Sequence, residues 1–258
     1  IETGLSVIPE DCEYARVCRA VTRFYEAHSE NWRDCFKYVE RNFGYDKYPG
    51  ACHIIPNSAV IILSLLYGRG DFSRSLNICN ICGWDTDCNV GNLGTILGVR
   101  NGLDGIDYEK WRKPINDFFA CSSVVGSLNI MDVPECAAYI AGLAYRLAGT
   151  EPPEETKEII EGRCAKFHFE LPGSTHGFRV SSNRGSGIES DLRNSTEASF
   201  SGKGSLKVTA KPLIADDELY VYHRTYYRPA DFHDSRYDPG FSPTLYPGQI
   251  ITAHVMIP

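Results

Sequence analysis

The sequence predicts a multidomain α and β protein, in which an all-α helical bundle is followed by an antiparallel β-sandwich. Three observations carry that expectation. Apolar residues recur at helical spacing from Pro9 to Gly149, they alternate with a period of two beyond residue 165, and an acidic, proline-bearing stretch, Thr150-Glu151-Pro152-Pro153-Glu154-Glu155, separates the two patterns. The charge balance changes at the same place, with 16 basic and 23 acidic side chains in residues 1–164 against 10 and 10 in 165–258. The expected domains are residues 1–149 and 165–258, joined by a linker zone at 150–164.

Each element has a local reason. Tyr14, Val17, Cys18, Val21, Phe24 and Tyr25 fall on one helical face, as do Trp32, Cys35, Phe36, Val39 and Phe43 behind an Asn31 cap. Pro56 suits the first turn of a helix whose apolar run is Ala59 to Tyr67, stopped by Gly68 and Gly70. Asp71 caps the next, which carries Phe72, Leu76, Cys79 and Cys82. Asp107 precedes a helical set of Tyr108, Trp111, Ile115 and Phe118 that Pro114 must kink or shorten. Asp132 and Glu135 form a capping box before Cys136, Tyr139, Ile140, Leu143 and Leu147, and Gly149 is the stop. The strand-like runs are Phe167, Phe169 and Leu171; Leu206 and Val208; Leu219, Val221 and His223; and Ile251, Ala253 and Val255.

Composition excludes several classes of function. Of 258 residues, 43% are hydrophobic and 23% charged, a globular balance. Even with Ser64 included, the apolar run Ala59 to Tyr67 is far shorter than the about 20 residues that cross a bilayer. The net charge is −7 with no Lys/Arg cluster, so no basic track is offered to a nucleic-acid backbone. All ten cysteines lie in the first 164 residues, mostly at apolar helical positions, which suggests buried thiols in a reducing, cytoplasmic setting. Cys79-x-x-Cys82 lacks a second such pair and a nearby His, and is read as core rather than a zinc site. The first residue is Ile1 and the last run is strand-like, from which a piece of a longer protein is expected.

The chemistry concentrates in Gly83-Trp84-Asp85-Thr86-Asp87-Cys88-Asn89-Val90-Gly91, running on through Gly94, Gly98 and Gly102. An isolated Asp-Thr-Asp reads first as a helix N-cap with one solvated Asp beside it. In a turn, Asp85 and Asp87 point the same way and can hold one hard cation, with Asn89 in support. The calcium-loop alternative fails, because Val90 stands where a Gly is needed and Ile96 where a bidentate Glu is needed. A phosphate cradle fails as well, for want of Gly-Lys-Ser/Thr and a preceding strand. Glycines at 91, 94 and 98 each cost about 1 kcal/mol in a helix, so close approach of a neighbouring helix or a ligand is expected there.

The order His53-Ile54-Ile55-Pro56-Asn57-Ser58-Ala59, Tyr67-Gly68-Arg69-Gly70-Asp71-Phe72, Gly83 to Asn89, and Gly94-Thr95-Ile96-Leu97-Gly98 resembles the C-terminal half of the ADP-ribosylglycohydrolase family over roughly residues 5 to 148. The resemblance implies a helical bundle holding two magnesium ions, with ligands from an N-terminal Thr-Asp-Asp motif and a C-terminal Asp-x-Asp-Thr motif. By position, Asp85 and Asp87 match the C-terminal carboxylates as metal ligands and catalytic residues. Cys88 stands at the place of a Thr ligand, a departure, since a thiol is a poor partner for Mg2+. Trp84, Asn89 and His53 are the candidate contacts to an ADP-ribosylated substrate or an ADP-ribose-like small molecule. No Thr-Asp-Asp segment occurs in 1–164, so half the site is expected to be missing and the chain to be inactive by itself.

Residues 165–258 offer no catalytic constellation. Tyr220 to Pro229 and Arg236 to Pro239 mix aromatic and polar side chains in a way that suits a glycan, although sandwich core and turns are the plainer account. Ser242 to Met256 resembles part of a jelly-roll carbohydrate-binding module, for which some ninety residues is short. The expected function is thus magnesium-dependent hydrolysis of an ADP-ribosyl N- or O-glycosidic bond. The alternatives are a non-catalytic ADP-ribose or nucleotide binder and a carbohydrate-binding or scaffold protein.

Overall fold

The computed structural model describes residues 1–50, 52–120, 128–183, 187–232 and 240–257. It divides the chain into two compact units, Ile1–Asp107 and Tyr108–Pro258, so the predicted linker zone lies within the second. Cys121 and the Arg236 to Pro239 segment lie outside the described residues. No helix among the described residues is long and apolar enough to cross a membrane.

The first unit is all helical. A short turn, α1 (Glu2–Leu5), precedes α2 (Glu13–Ala27), α3 (Trp32–Phe43), α4 (Ile54–Gly68), α5 (Phe72–Cys82) and α6 (Thr86–Asn101). The predicted caps form: the Asn31 side chain accepts from Arg33 N–H, and Asp71 accepts from Arg74 N–H. The organising element is α4, which buries Ala59, Val60, Ile62 and Leu63 together with Ser64 and Tyr67, and packs against α2, α3, α5 and α6. A helix apolar on every side belongs at the centre of a bundle. Tyr67 is 1% exposed and donates its hydroxyl to His28 O at 2.5 Å, which satisfies the one polar atom it brings inside. Cys35 packs beside it, and burial pushes the thiols of Cys35 and Cys82 up to about 12, as expected of cysteines serving as small apolar residues.

The α4–α5 corner is fixed by close approach. A Cβ on Gly68 would sit 1.8 Å from Ser75 Oγ, and Gly70 has φ +84° with the Arg100 guanidinium against it. Asn101 Nδ2 donates to Gly70 O at 2.9 Å, tying the end of α6 to the same corner.

The second unit departs from the sequence expectation. Where one helix was predicted from Tyr108, a π-helical turn (Tyr108–Arg112) and a 3-10 turn (Lys113–Ile115) form, because Pro114 cannot donate to a continuing α-helix. Strands β1 (Phe118–Ala120) and β2 (Ile130–Asp132) then pair antiparallel, so the stretch to Gly149 is not purely α. Helix α7 (Val133–Ala148) follows, with Asp132 capping Glu135 N–H and Gly149 left-handed at its end, and α8 (Lys157–Ile160) is one turn. The remaining strands are β3 (Arg179–Ser182), β4 (Glu189–Ser195), β5 (Ser205–Lys211) and β6 (Leu219–Tyr222), paired as β3–β6 and β4–β5.

The described residues thus make three separate two-stranded ladders, and no β-sandwich is formed among them. Phe167, Phe169 and Leu171 lie in irregular chain rather than in a strand, the rings of Phe167 and Phe169 both meeting Phe178. Ile251 to Val255 is neither paired nor buried, with Ile251 72% and Val255 78% exposed. Alternation predicts a strand only where a partner edge exists to receive it.

For two of the three α6 glycines the helix half of the expectation is not met. A Cβ at Gly91 or Gly98 would meet nothing within 4 Å, and at Gly94 only Phe72 at 4.0 Å. No close helix contact requires them. Gly98→Ala is therefore expected to stabilise the chain by about 0.5–1 kcal/mol. Equilibrium urea unfolding checks this, and a lower midpoint in the variant would show that something does approach Gly98.

Candidate functional site

Asp85 sits at the N-cap of α6 with φ 43° and ψ 55°, a left-handed conformation rarely taken by a residue with a Cβ. Holding it there costs of order 1 kcal/mol unless other contacts fix it. Its carboxylate makes no capping bond to α6. Instead, Asn57 Nδ2, from the first turns of α4, donates to Asp85 Oδ2. Asn57 is 7% exposed, and its own Oδ1 accepts from the Tyr45 hydroxyl at 2.5 Å. A chain of two hydrogen bonds therefore runs from Tyr45 through Asn57 to Asp85. A bond to a carboxylate in such a setting contributes about 1.5–3 kcal/mol, enough to offset the backbone cost.

The plain N-cap reading thus fails at Asp85. Oxygens of Asp85 and Asp87 and the Cys88 sulfur all lie within 4.8 Å of one another, close enough that one cation could be held between them. The two carboxylates fit a hard divalent ion, whereas the thiol does not. The Asp85 carboxylate beside it pushes the Cys88 thiol up, first through a hydrogen bond and then through charge, which keeps it protonated.

The other sequence candidates fall around this group in different ways. Trp84 is half-buried, its ring 5.1 Å from Phe36 and 5.0 Å from Tyr45, so the three aromatics form a wall next to the carboxylates. Asn89 is 1% exposed, its Nδ2 donating to Trp84 O at 2.7 Å while its Oδ1 has no partner among the described residues. It braces the turn that holds Asp85. His53 is the N-cap of α4, its Nδ1 accepting from Ile55 N–H at 3.2 Å, so the backbone-bonded reading describes that nitrogen. Sequence reasoning passed over Tyr45 and Asn57. Asn57 lies inside the His53 to Ala59 segment, and a polar residue at an otherwise buried helical position was its available signal.

A second polar group lies in the other unit. Asp132, fully buried, accepts from Glu135 N–H at 2.7 Å and from the Ser174 hydroxyl at 2.5 Å. Ligand atoms of Asp132, Glu135 and His176 fall within 4.8 Å of one another. The ring of His176, 2% exposed, receives Phe169 N–H on Nε2 at 3.1 Å, and Nδ1 has no partner among the described residues. A neutral ring whose one lone pair is spent on a main-chain N–H has none left for a cation, so this trio is structural. Burial, then the neighbouring His168, His223 and Lys166, pull the His176 imidazole down to about 3.

Because the folded ring binds its proton more weakly than the unfolded one, its contribution to stability is whole above pH 6.5. That contribution is lost as pH falls from there towards 3, at about 1.4 kcal/mol per pH unit. Denaturant unfolding at pH 7, 6, 5 and 4 should show a shallower acid loss in His176→Gln than in the unaltered chain. Equal slopes would remove His176 as the source.

Comparison with known proteins adds one finding to this geometry. No curated protein and no solved structure matches the chain. The family model described as ADP-ribosylglycohydrolase matches residues 1–159, a span that takes in the Tyr45–Asn57–Asp85 chain, the carboxylate pair and the glycine-bearing helix behind it. With more than half of its length matched, the chain belongs to the ADP-ribosylglycohydrolase family.

Proposed function

We propose that residues 1–159 carry the carboxylate part of a metal-dependent site that hydrolyses an ADP-ribosyl N- or O-glycosidic bond, corresponding to the C-terminal half of the family's helical domain. The observation that carries this reading is the Asp85 carboxylate, turned away from its own helix, held by Asn57 and facing Asp87. A cap would bond the α6 amides; a ligand must leave them. When bound, a divalent cation such as Mg2+ supplies charge that clamps the ribose hydroxyls and acidifies an attacking water. Asp85 and Asp87 hold that ion, Asn57 and Tyr45 fix the angle of Asp85, and Trp84 offers a face to the substrate. Two carboxylates are too few for a six-coordinate ion, so the chain is expected to bind Mg2+ weakly and to turn over poorly by itself. Free thiols throughout the helical unit suit a reducing compartment such as the cytoplasm.

Calorimetry with ADP-ribose in the presence of Mg2+, run beside an assay for ADP-ribose release from ADP-ribosylated peptides, tests this. Binding should fall at least about tenfold in the Asp85→Asn and Asp87→Asn variants, equivalent to about 1.4 kcal/mol, with little release by any form. Binding untouched by either substitution overturns the assignment of the pair. Robust release by the unaltered chain overturns its expected inactivity, and binding without release even when the missing ligands are supplied favours a non-catalytic binder.

One observation favours an additional glycan-facing role for residues 165–258 as an accessory module. Tyr220 and Tyr222, two apart on β6, are 49% and 37% exposed, the spacing that puts two rings on one face of a strand. Glycan-array binding lost in a Tyr220→Ala/Tyr222→Ala double variant would support it, and an array without signal for the unaltered chain would dismiss it.

A further inference from the structure

The second unit holds a groove to which no role has been given above. Two cavities of about 380 and 350 Å3 adjoin in it and share Tyr108, Lys113 and Leu192 as a common wall. Each falls within the about 300–1,000 Å3 that small-molecule sites occupy. The wall begins in the π-helical turn Tyr108–Arg112, a rare conformation that recurs at functional sites. That segment is tied down twice. The Arg112 side chain donates to the Asp117 carboxylate and to Pro172 O, and its guanidinium lies 5.4 Å from the centre of the Tyr108 ring. Four residues on, Asn116 donates to Phe178 O at 2.7 Å and accepts from the Thr175 hydroxyl at 2.7 Å. The sides of the groove are thus joined before any ligand arrives, which lowers the entropy lost on binding.

The lining narrows the ligand. In the first cavity two carboxylates and two cations balance: Lys113 Nζ is 2.8 Å from Glu109 Oε2 and 3.6 Å from Asp191 Oδ1, and Arg193 Nε is 4.0 Å from Asp191 Oδ2. Exposed ion pairs contribute little to folding, so stability does not account for this convergence. A charged ligand gains little from so balanced a set. A hydroxyl both donates and accepts, so it bonds an ammonium and a carboxylate at once without separating them. Asn194 adds an acceptor, for its Nδ2 is spent on Phe169 O and Ser174 O, and its Oδ1 takes part in neither bond. The second cavity is lined by the rings of Tyr108, Phe178 and Tyr222, and its Arg179 lies over the Phe118 ring at 5.4 Å. Aromatic faces beside a row of hydroxyl-bonding groups suit a ring that is apolar on its faces and polar around its edge. A sugar ring has that character.

We infer that this groove binds a neutral oligosaccharide, one sugar ring in each cavity, with Tyr108 at the junction. Glu109, Asp191 and Asn194 accept from hydroxyls of the first ring and Lys113 donates to it, while Phe178 and Tyr222 cover a face of the second. The inference rests on the glycan-facing reading of residues 165–258 and deepens it. It keeps Tyr222 and moves the site from an open strand face to a walled groove that begins at residue 108.

Calorimetry on the full, reduced chain tests this with cellotetraose, xylotetraose, mannotetraose and chitotetraose, against tetragalacturonate and adenosine as anionic and nucleobase-bearing controls. At least one neutral tetrasaccharide should bind with a Kd of about 1 mM or tighter, and the controls should not. Its affinity should fall at least about tenfold in Asp191→Ala and in Lys113→Ala, each of which removes a charged partner of the sugar hydroxyls. Those side chains are 43% and 44% exposed, so both variants should keep the urea midpoint of the unaltered chain. Where one does not, hydroxyl-radical footprinting of the unaltered chain serves instead: bound sugar should shield Tyr108 and Tyr222 and leave Tyr14 as it was. No binding by any of the four, binding of a control in their place, unchanged affinity in either variant, or unshielded tyrosines overturns the inference. If a sugar binds regardless of Asp191→Ala and Lys113→Ala yet is lost in Tyr220→Ala/Tyr222→Ala, the glycan-facing strand stands and the groove alone falls. Loss in Asp191→Ala and Lys113→Ala with full binding in Tyr220→Ala retains the groove and removes the open strand face.

Discussion

The hydrogen bond from Asn57 to Asp85 is the constraint on which the site depends. It joins the most buried helix of the first unit to the N-cap of the glycine-bearing one, and it does so at the only backbone position in that turn that is left-handed without being glycine. Remove it, and the carboxylate is free to rotate back to the α6 amides, where an Asp at an N-cap ordinarily goes. The bond is in turn positioned by packing. Asn57 stands between Pro56 and Ser58 on a helix with its neighbours Ala59 and Val60 fully buried, so its amide has few places to turn, and Tyr45 occupies its oxygen. Apolar burial along α4 is thereby converted into the aim of one carboxylate on another element.

Much of the helical part of the chain was legible in the sequence because its signals are local. Asn31, Asp71 and Asp132 each cap the helix that the residue pattern assigned to them, and Gly149 ends its helix in the left-handed region. Such caps need only a side chain and an amide two or three residues away. The Asp85–Asp87 pair was legible for the same reason. Its support was not, since Asn57 reaches Asp85 from 28 residues away in sequence and Tyr45 reaches Asn57 from 12, and no spacing rule connects them. For the α6 glycines the expected close approach of a neighbouring helix did not appear. Their spacing implied a close neighbour, and only Gly94 has one within 4 Å, a phenylalanine ring at ordinary contact distance.

The second unit was read less well because its order is non-local. Strand β4, Glu-Ser-Asp-Leu-Arg-Asn-Ser, carries one large apolar residue and shows no useful alternation, yet it pairs in full register with β5, Leu192 opposite Val208. Its position is set by side chains beyond the ladder: Asn194 donates to Phe169 O and Ser174 O, and Ser174 donates to Asp132. Conversely, Ile251 to Val255 alternates well and forms no strand, because no described edge receives it. A period of two says which face a side chain would take, and nothing about whether a partner exists. The ion pair between Arg112 and Asp117, with the Arg112 side chain 13% exposed and that of Asp117 6%, is a further long-range device, for Arg112 also donates to Pro172 O at 3.0 Å.

These two kinds of order bear on how the site should be judged. A cluster assembled for stability spends its polar atoms on one another, as Asp132 does on Ser174 and the α7 amide, and as His176 does on Phe169. The cluster at Asp85 spends only part of what it has. One carboxylate oxygen is held by Asn57, and Asp87 and Cys88 are exposed. Donor atoms gathered at the mouth of a helix and left accessible are poor value for folding, since strain at Asp85 and mutual repulsion of two carboxylates both oppose it. On the reading proposed above, a cation entering between the two carboxylates would offset that cost.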